Sequence, residues 1–380
     1  MKIVHLIVGL TMGGAEGMLY KMVSAAVSER PKEKHVVISL GDSGVYGKRL
    51  RQLGIEVHTL NAERGGLPLV AGIRLWTLLA RIRPELVQCW MYHAMLAGTL
   101  MKFIPGISYK LVWNVRYALD DLAAEKFATR LLIRSLAYMS GLPNRIVYNS
   151  YTSRDQHGRI GYQAHSAIVI PNGFDTDRFR PDIGAKARLK EKLGVSGSIP
   201  LIGVVGRFHP VKGFPYFVEA AAHVSKLYDC DFVMVGEGVD NQNKLLVGLI
   251  EKYGLEKRLH LIGPVDDVPQ LMAALDVYVS SSTSEAFANV IGEAMACGVP
   301  CVVTDVGDSA RIVGDSGHVV PPRDSSALAR GIVRYLELDE EERRKLGKKA
   351  RTKIMERYSV YGVMDMYSQL FNELLLADQE

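Results

Sequence analysis

Short apolar runs alternate with longer amphipathic segments along most of the chain. Runs such as KIVHLIV, LVQCW and LIGVVG have the length and continuous hydrophobicity of strands that are buried on both faces. Segments such as AEGMLYKMVSAAVSE repeat their apolar residues with helical period. This alternation predicts parallel sheets covered by helices, with further strands at HVVISL, IEVHTL, KLVWNV, RIVYNS, SAIVIP, DFVMVGEG, LHLIG, VYVSSS, PCVVTD and HVVPP.

The pattern runs twice, and the two halves meet at residues 171–186. This stretch, PNGFDTDRFRPDIGAK, is rich in Pro, Gly and Asp and has no apolar period. Because 380 residues exceed one ordinary core, we predict an α/β fold of two doubly wound Rossmann-like domains that face a central cleft. The first domain is placed at residues 1–178 and the second at 179–359. The amphipathic segment 360–380 is predicted to be a C-terminal helix that crosses back to the first domain.

Composition is typical of a soluble globular protein. Hydrophobic residues make up 48% and charged residues 23%, and Arg74 and Arg81 interrupt the best candidate for a membrane span. The N-terminal apolar run ends in a Gly-Gly turn without a cleavage pattern, so it is predicted to be a buried strand and not a signal peptide. Four cysteines are too few for a disulfide scaffold and favour a reducing, cytoplasmic compartment.

Positive charge is concentrated in the first half. Residues 1–170 contain 21 Lys and Arg against 11 Asp and Glu, whereas the whole chain has a net charge of +5. In KFATRLLIRSLAYM, the cations Lys126, Arg130 and Arg134 recur at four-residue spacing beside an apolar strip. Such a helix can lie on the inner face of an anionic membrane. An ordinary helix with its apolar strip in the core explains the spacing nearly as well, and no nucleic-acid partner is expected.

Two carboxylates bracket a predicted helix start in SEAFANVIGEAMACGVP. The helix is predicted to begin near Asn289 and Val290, whose N–H groups would form an anion site, and to stop at Gly298. A carboxylate can accept hydrogen bonds from two vicinal hydroxyls, so Glu293 could bind a ribose and Glu285 a sugar beyond it. Complementing the helix dipole would explain Glu293 equally well, but not Glu285.

A basic loop follows the strand LIGVVG. It places Arg207 and Lys212 five residues apart, where two cations can hold a diphosphate, although an exposed basic turn has the same appearance. No Asp-x-Asp pair stands where a metal is expected. The sequence therefore predicts no metal and no other cofactor, with the two cations and the helix N-terminus stabilising negative charge instead.

Several linked motifs resemble those of family 4 retaining glycosyltransferases with the GT-B fold. The E-x7-E pair in SEAFANVIGEAMACGVPCVVTDVG resembles the family signature, and GRFHPVKGF its Arg/Lys diphosphate clamp. TMGGAE is similar to its N-terminal Gly-rich loop and PNGFDTDRF to its interdomain linker. The resemblance covers nearly the whole chain and is strongest at 168–323. Ala286 and Ala288 stand where the family usually has Gly and Pro, and both carboxylates and the helix are kept.

The resemblance implies an acceptor-binding first domain and a nucleotide-sugar donor in the second, with the base read near Val265. It also implies that His93, which follows the strand LVQCW, lies near the donor sugar, although a lone His beside apolar residues is more often a core residue. The implied catalytic residues are His93, Glu285, Arg207 and Lys212. The implied donor-binding residues are Gly14, Arg207, Lys212, Val265, Glu285, Phe287, Ala288, Asn289, Val290 and Glu293. The implied acceptor-binding residues are Gly13, His93 and Arg116.

The implied reaction is transfer of a hexose from a nucleotide-sugar, with UDP favoured, to a hydroxyl of a glycan or lipid-linked glycan in polysaccharide or cell-envelope biosynthesis. The sequence offers no convincing nucleophile, so displacement on the same face of the sugar is expected. A UDP-sugar 2-epimerase is the nearest enzymatic alternative, and the Glu285–Glu293 spacing argues against it. A non-catalytic nucleotide-sugar sensor would keep Arg207 and Lys212 but need not keep His93.

Overall fold

The computed structural model describes residues 1–62, 69–195 and 199–376. The chain divides into two compact units: Met1–Gly173 together with the residues from Val360 onward, and Phe174–Ser359. Each unit contains a parallel sheet with helices on both faces, and all thirteen predicted strands are present. The apolar runs predicted these strands well because a strand buried on both faces is hydrophobic throughout its length.

The sheet of the first unit has seven strands among the described residues, in the order β3-β2-β1-β4-β5-β6-β7. Strand order reverses between β1 and β4, which is the topological switch point of a doubly wound sheet. The strands are β1 Lys2–Ile7, β2 Lys34–Ser39, β3 Glu56–Thr59, β4 Leu86–Trp90, β5 Lys110–Val115, β6 Arg145–Tyr148 and β7 Ala167–Val169.

The helices of the first unit form two layers. They are α1 Gly14–Glu29, α2 Gly44–Gln52, α3 Leu69–Ile82, α4 Tyr92–Met101, α5 Phe127–Met139 and α6 Tyr151–Arg159. Apolar residues of α3, α4 and α5 share one core cluster, whereas those of α1 and α2 belong to another. The two layers follow from right-handed crossovers. From β1 to β3 the chain moves toward one edge of the sheet, and from β4 to β7 toward the other, so the connecting helices lie on opposite faces.

The second unit repeats this design. Its described strands follow the order β10-β9-β8-β11-β12-β13, with the switch point between β8 and β11. The strands are β8 Leu201–Val205, β9 Asp231–Val235, β10 Leu259–Gly263, β11 Val277–Ser280, β12 Cys301–Thr304 and β13 Gly317–Val320. The helices are α7 Ala185–Leu193, α8 Phe214–Val224, α9 Lys244–Tyr253, α10 Val268–Ala273, α11 Asn289–Ala296, α12 Ser309–Val313, α13 Ser325–Leu336 and α14 Glu340–Arg357.

The boundary between the units lies five residues before the predicted position of 178. The stretch that looked like a solvated linker contributes Phe174 and Phe179 to the core of the second unit, with exposures of 0% and 3%. Because these two aromatic residues are isolated among polar ones, no periodic pattern marks them as buried.

The C-terminal helix α15, Val360–Leu376, belongs to the first unit. Its apolar face packs with α1 and β1. The buried Tyr367 hydroxyl accepts hydrogen bonds from Asn114 Nδ2 at 3.0 Å and from Arg116 Nη2 at 2.6 Å. These contacts hold α15 to the first unit, and residues 377–380 lie outside the described residues.

Gly292 in α11 allows close packing against Phe174. A Cβ at this position would lie 2.1 Å from Phe174 Cζ and would therefore overlap the ring. The Phe174 side chain is fully buried. We expect Gly292→Ala to destabilise the second unit by about 1–3 kcal/mol, because a core without free space must shift to admit a methyl group. Thermal unfolding measures the effect.

Gly248→Ala is the matched control, because a Cβ on this glycine of α9 meets nothing within 4 Å. Helix propensity alone should make that variant more stable by roughly 0.5–1 kcal/mol. Equal unfolding temperatures for the two variants would contradict the packing argument.

Candidate functional site

The carboxyl ends of β8 and β11 meet at the switch point of the second unit. The loop after β8 carries Arg207 and Lys212, and the loop after β11 carries Glu285. Ligands of open α/β sheets bind where strand order reverses, because the adjacent loops diverge there and leave a crevice. Three residues from two distant sequence motifs are therefore brought to one edge of the sheet.

Lys212 and Glu285 form an ion pair. Lys212 Nζ lies 2.5 Å from Glu285 Oε1, and the two side chains are only 21% and 15% exposed. The sequence motifs had indicated separate tasks for them, a diphosphate and a sugar. Their contact means that the positive charge of Lys212 is partly neutralised before any ligand binds.

Ser282 orients the same carboxylate. Its hydroxyl donates to Glu285 Oε1 at 2.9 Å, and the residue is 3% exposed. Glu285 Oε2 has no hydrogen-bond partner in the part of the chain that the structure describes, which leaves it available to a ligand hydroxyl. Sequence reasoning missed Ser282, since one serine within SSSTSE carries no distinguishing pattern.

Backbone contacts join the β8 and β11 loops. Gly213 has φ +62°, and a Cβ there would lie 2.1 Å from the Ser281 carbonyl oxygen. The Ser281 hydroxyl donates to the Lys212 carbonyl at 2.9 Å, and the Thr283 N–H donates to the Val211 carbonyl at 2.7 Å. Glycine is needed at this turn because both its backbone conformation and the close approach exclude a side chain.

The loop after β12 supports Glu285 from the other side. Gly307 has φ +56°, and a Cβ there would lie 2.2 Å from the Glu285 carbonyl oxygen. The Thr304 hydroxyl donates to the Ser282 carbonyl at 2.6 Å. The Glu285 loop is thus held between two neighbouring turns, which limits the positions its carboxylate can reach.

Helix α11 begins at Asn289, as predicted from the sequence, and Gly298 just beyond its end has φ +74°. Ala288 occupies the N-cap position and supplies no side-chain cap. Glu293 lies in the second turn and is half-buried. The donor-binding roles of Phe287, Ala288, Asn289, Val290 and Glu293 stay predictions.

Arg207 and Val265 line different cavities. Exposed Arg207 borders a cavity of about 510 Å³ together with Phe208, His209, Glu237 and Asn243. Val265 borders another of about 400 Å³ together with Arg188 and Gln270. The role of Arg207 in the clamp and that of Val265 at the base site stay predictions.

The switch point of the first unit carries the remaining predicted residues. Gly13 caps α1 in an extended conformation with φ −166°, and Gly14 begins the helix with no atom within 4 Å of the position that a Cβ would take. The backbone conformation at these two positions does not require glycine. The open space beside Gly14 is compatible with the predicted approach of a ligand.

His93 is the second residue of α4. Met91, the N-cap residue of this helix, lies two positions earlier and has φ +67°. A non-glycine residue in the left-handed region stores strain, and such strain often accompanies functional sites. Burial lowers the pKa of His93, which favours the neutral imidazole at pH 7. No hydrogen bond to its ring is found within the described ranges.

Arg116 has a structural role that the sequence did not predict. Its guanidinium donates to Asn172 and to Tyr367, and it lies over the Trp90 ring at 4.9 Å. Burial lowers the pKa of Arg116. These contacts lie inside the first unit and fasten α15, and the predicted acceptor-binding role of Arg116 stays a prediction.

Other candidate chemistry is sparse. All four cysteines are buried free thiols. Across residues 1–62, 69–195 and 199–376, no group of three or more His, Cys, Asp or Glu side chains could hold a metal ion. No helix in those ranges is both long and apolar enough to cross a membrane.

Family models match both units. The model described as "Glycosyltransferase Family 4" matches residues 12–178, and "Glycosyl transferases group 1" matches residues 199–338. N-acetyl-alpha-D-glucosaminyl L-malate synthase of Bacillus anthracis is 29% identical over 90% of this chain and 96% of its own length. An Escherichia coli UDP-Gal:alpha-D-GlcNAc-diphosphoundecaprenol alpha-1,3-galactosyltransferase is 31% identical, over 55% of this chain and 54% of that enzyme.

Solved structures show the same architecture. HepE of Anabaena, crystallised in complex with UDP, superposes with a TM-score of 0.85 and 25% identity over 98% of this chain and all of HepE. WaaG, a glycosyltransferase of lipopolysaccharide biosynthesis, superposes with a TM-score of 0.70 at 17% identity, over 97% of this chain and 99% of WaaG. The second likeness concerns the fold alone.

Proposed function

Since the chain belongs to glycosyltransferase family 4 and has the GT-B fold, we propose that it moves a hexose from a UDP-sugar to a hydroxyl of a glycan or lipid-linked glycan, with retention of anomeric configuration. The chain is a transferase of glycan or lipid-linked biosynthesis, and its donor, acceptor and stereochemistry are the proposed part. The observation that carries the proposal is the contact between Lys212 and Glu285 at the switch point.

The proposed donor rests on charge and hydroxyl chemistry. Arg207, Lys212 and the N-terminus of α11 would stabilise the negative charge that grows on the leaving diphosphate. Glu285 Oε2 would accept a sugar hydroxyl, and Glu293 the ribose hydroxyls. Anabaena HepE was also solved with UDP and glucose, which supports uridine over guanosine.

The proposed retention rests on the likeness to retaining family 4 glycosyltransferases, and the pairing of Glu285 concerns only the route. A carboxylate that already accepts from Lys212 and Ser282 is a weak nucleophile, because both contacts withdraw electron density from its oxygen. No covalent intermediate through Glu285 is therefore proposed. The acceptor hydroxyl would attack from the face that the diphosphate leaves, while cations rather than a metal ion stabilise the leaving group.

The proposed acceptor is a glycan or lipid-linked glycan bound by the first unit. The name of the E. coli relative specifies a diphosphoundecaprenol-linked sugar. Arg130 and Arg134 lie on α5, and Lys126 directly precedes it. Lys126 and Arg134 are exposed and Arg130 is half-buried, so these cations can contact an anionic membrane surface. A peripheral position at the inner face of a membrane is proposed on these grounds.

A product assay tests the function directly. The chain is incubated with UDP-glucose, UDP-galactose, UDP-N-acetylglucosamine or GDP-mannose and a lipid extract, and products are identified by mass spectrometry and their anomers by NMR. We expect one UDP-sugar to be consumed with retained configuration, with or without EDTA. Activity lost in EDTA and restored by Mn²⁺ would contradict metal independence, and epimerised donor would favour the epimerase alternative.

Lys212→Ala should weaken UDP binding by about tenfold to a hundredfold, because the diphosphate loses a cation and meets an unpaired Glu285. The double variant Lys212→Ala/Glu285→Gln should recover part of the affinity, since it also removes the repulsive charge. Calorimetric titration with UDP measures both, and Lys226→Ala on an exposed site is the control. Unchanged UDP affinity in Lys212→Ala would refute the clamp.

Ser282→Ala should lower kcat by roughly tenfold and leave UDP affinity unchanged, because Glu285 loses one of two contacts that orient it. Ser316→Ala is the matched control, as this buried hydroxyl has no hydrogen-bond partner in the described structure. Steady-state kinetics separate the effects. Equal kcat values for the two variants would show that Ser282 does not position the carboxylate.

His93→Ala should lose roughly a hundredfold in turnover while still binding UDP, if the imidazole orients the donor sugar or stabilises charge on it. Turnover and UDP titration on the same preparation provide the comparison. Normal turnover in this variant would show that His93 is only a packed residue of a βα turn.

A further inference from the structure

Three helices of one layer of the first unit contain no acidic residue. Helices α3, α4 and α5 pack on the same face of the sheet through a shared core cluster. Their sequences have no Asp or Glu, and the charged residues they carry are Arg74, Arg81, Arg130 and Arg134. Arg81 lies 3.8 Å from Glu56, whereas Arg74 has no ion pair among the described residues. The layer therefore presents an excess of positive charge.

The same layer exposes large apolar side chains. On α3, Leu69 is 81% exposed, Val70 60%, Ile73 53% and Trp76 37%. The other exposed apolar residues on or directly after these helices are Leu100, Phe103, Phe127, Leu131, Tyr138 and Leu142. Exposed apolar residues are thus present on all three helices or just after them, beside the cations.

We propose that this α3–α5 surface, consisting of the exposed residues of helices α3, α4 and α5, docks on an anionic lipid bilayer, with the N-terminal half of α3 entering the headgroup boundary. An excess of cations over acids suits phosphate headgroups, and apolar and aromatic side chains beside them suit the layer just below. The inference extends the proposed function, in which the acceptor is lipid-linked. It does not depend on the identity of the donor.

Helix α3 is better suited to insertion than α5. Leu69, Ile73 and Trp76 recur at helical spacing on one exposed stripe. On α5 the apolar strip predicted from the sequence divides, because Phe127 and Leu131 are exposed whereas Leu136 is fully buried. The cations of α5 would then contact headgroups while α3 supplies the inserted residues.

Tryptophan fluorescence tests this surface directly. The chain has three tryptophans, of which Trp90 and Trp113 are fully buried, so solvent-dependent emission comes from Trp76 on α3. Vesicles of phosphatidylglycerol and phosphatidylcholine should shift the emission to the blue and reduce it when the lipids carry bromine. Added salt, or phosphatidylcholine alone, should weaken both effects.

Variants separate the two contributions. Leu69→Gln/Ile73→Gln should abolish the shift, and Arg74→Gln/Arg81→Gln should weaken vesicle binding roughly tenfold to thirtyfold. The control is Leu53→Gln/Met366→Gln, which alters two exposed apolar residues, at 37% and 40%, outside helices α3, α4 and α5. All variants should unfold at the temperature of the unchanged protein.

Three outcomes would overturn the inference: no emission change with anionic vesicles at low salt, binding that the α3 variants leave intact, or binding equally reduced in the control. Self-association abolished by Leu69→Gln/Ile73→Gln would show instead that a second copy covers the surface.

Donor hydrolysis measured without lipid is independent of docking. Hydrolysis without vesicle binding would refute only the docking, and vesicle binding without hydrolysis only the proposed function.

Discussion

The close approach of the β8 and β11 loops at Gly213 governs the geometry of the candidate site. A side chain at Gly213 would collide with the Ser281 carbonyl oxygen, and without that approach Lys212 would not reach Glu285. Gly307 performs the same task on the opposite side of the Glu285 loop. Two glycines in the left-handed region thus allow three loops at neighbouring strand ends to pack backbone against backbone.

The resulting ion pair gives the site a balanced charge before a ligand arrives. A lone half-buried carboxylate beside a diphosphate site would repel its ligand, and a lone lysine would be less constrained in position. Pairing Lys212 with Glu285 avoids both problems, and Ser282 completes the constraint on Oε1. In the proposed function, Glu285 Oε2 accepts the sugar hydroxyl, since a carboxylate held through one oxygen can still accept a hydrogen bond through the other.

In the first unit, buried polar contacts fasten the C-terminal helix to the sheet. Tyr367 on α15 accepts hydrogen bonds from Asn114 and Arg116, both contributed by β5 and the residue after it. An arginine that follows a strand has the sequence appearance of a ligand-binding residue. Here its donors satisfy the buried polar groups of a helix that arrives from the far end of the chain.

The sequence by itself determined the thirteen strands, the doubled α/β pattern and the limits of α11, because buried parallel strands and helix boundaries have local signatures in hydrophobicity, Gly and Pro. It also singled out Lys212, Glu285 and His93, since linked motifs in a fixed order are specific. Tertiary structure alone decided that Lys212 contacts Glu285, that Ser282 orients it, that Arg116 fastens α15, and that Phe174 is core. Each of these depends on residues far apart in the chain, and no local pattern records which distant side chain will fill a given space.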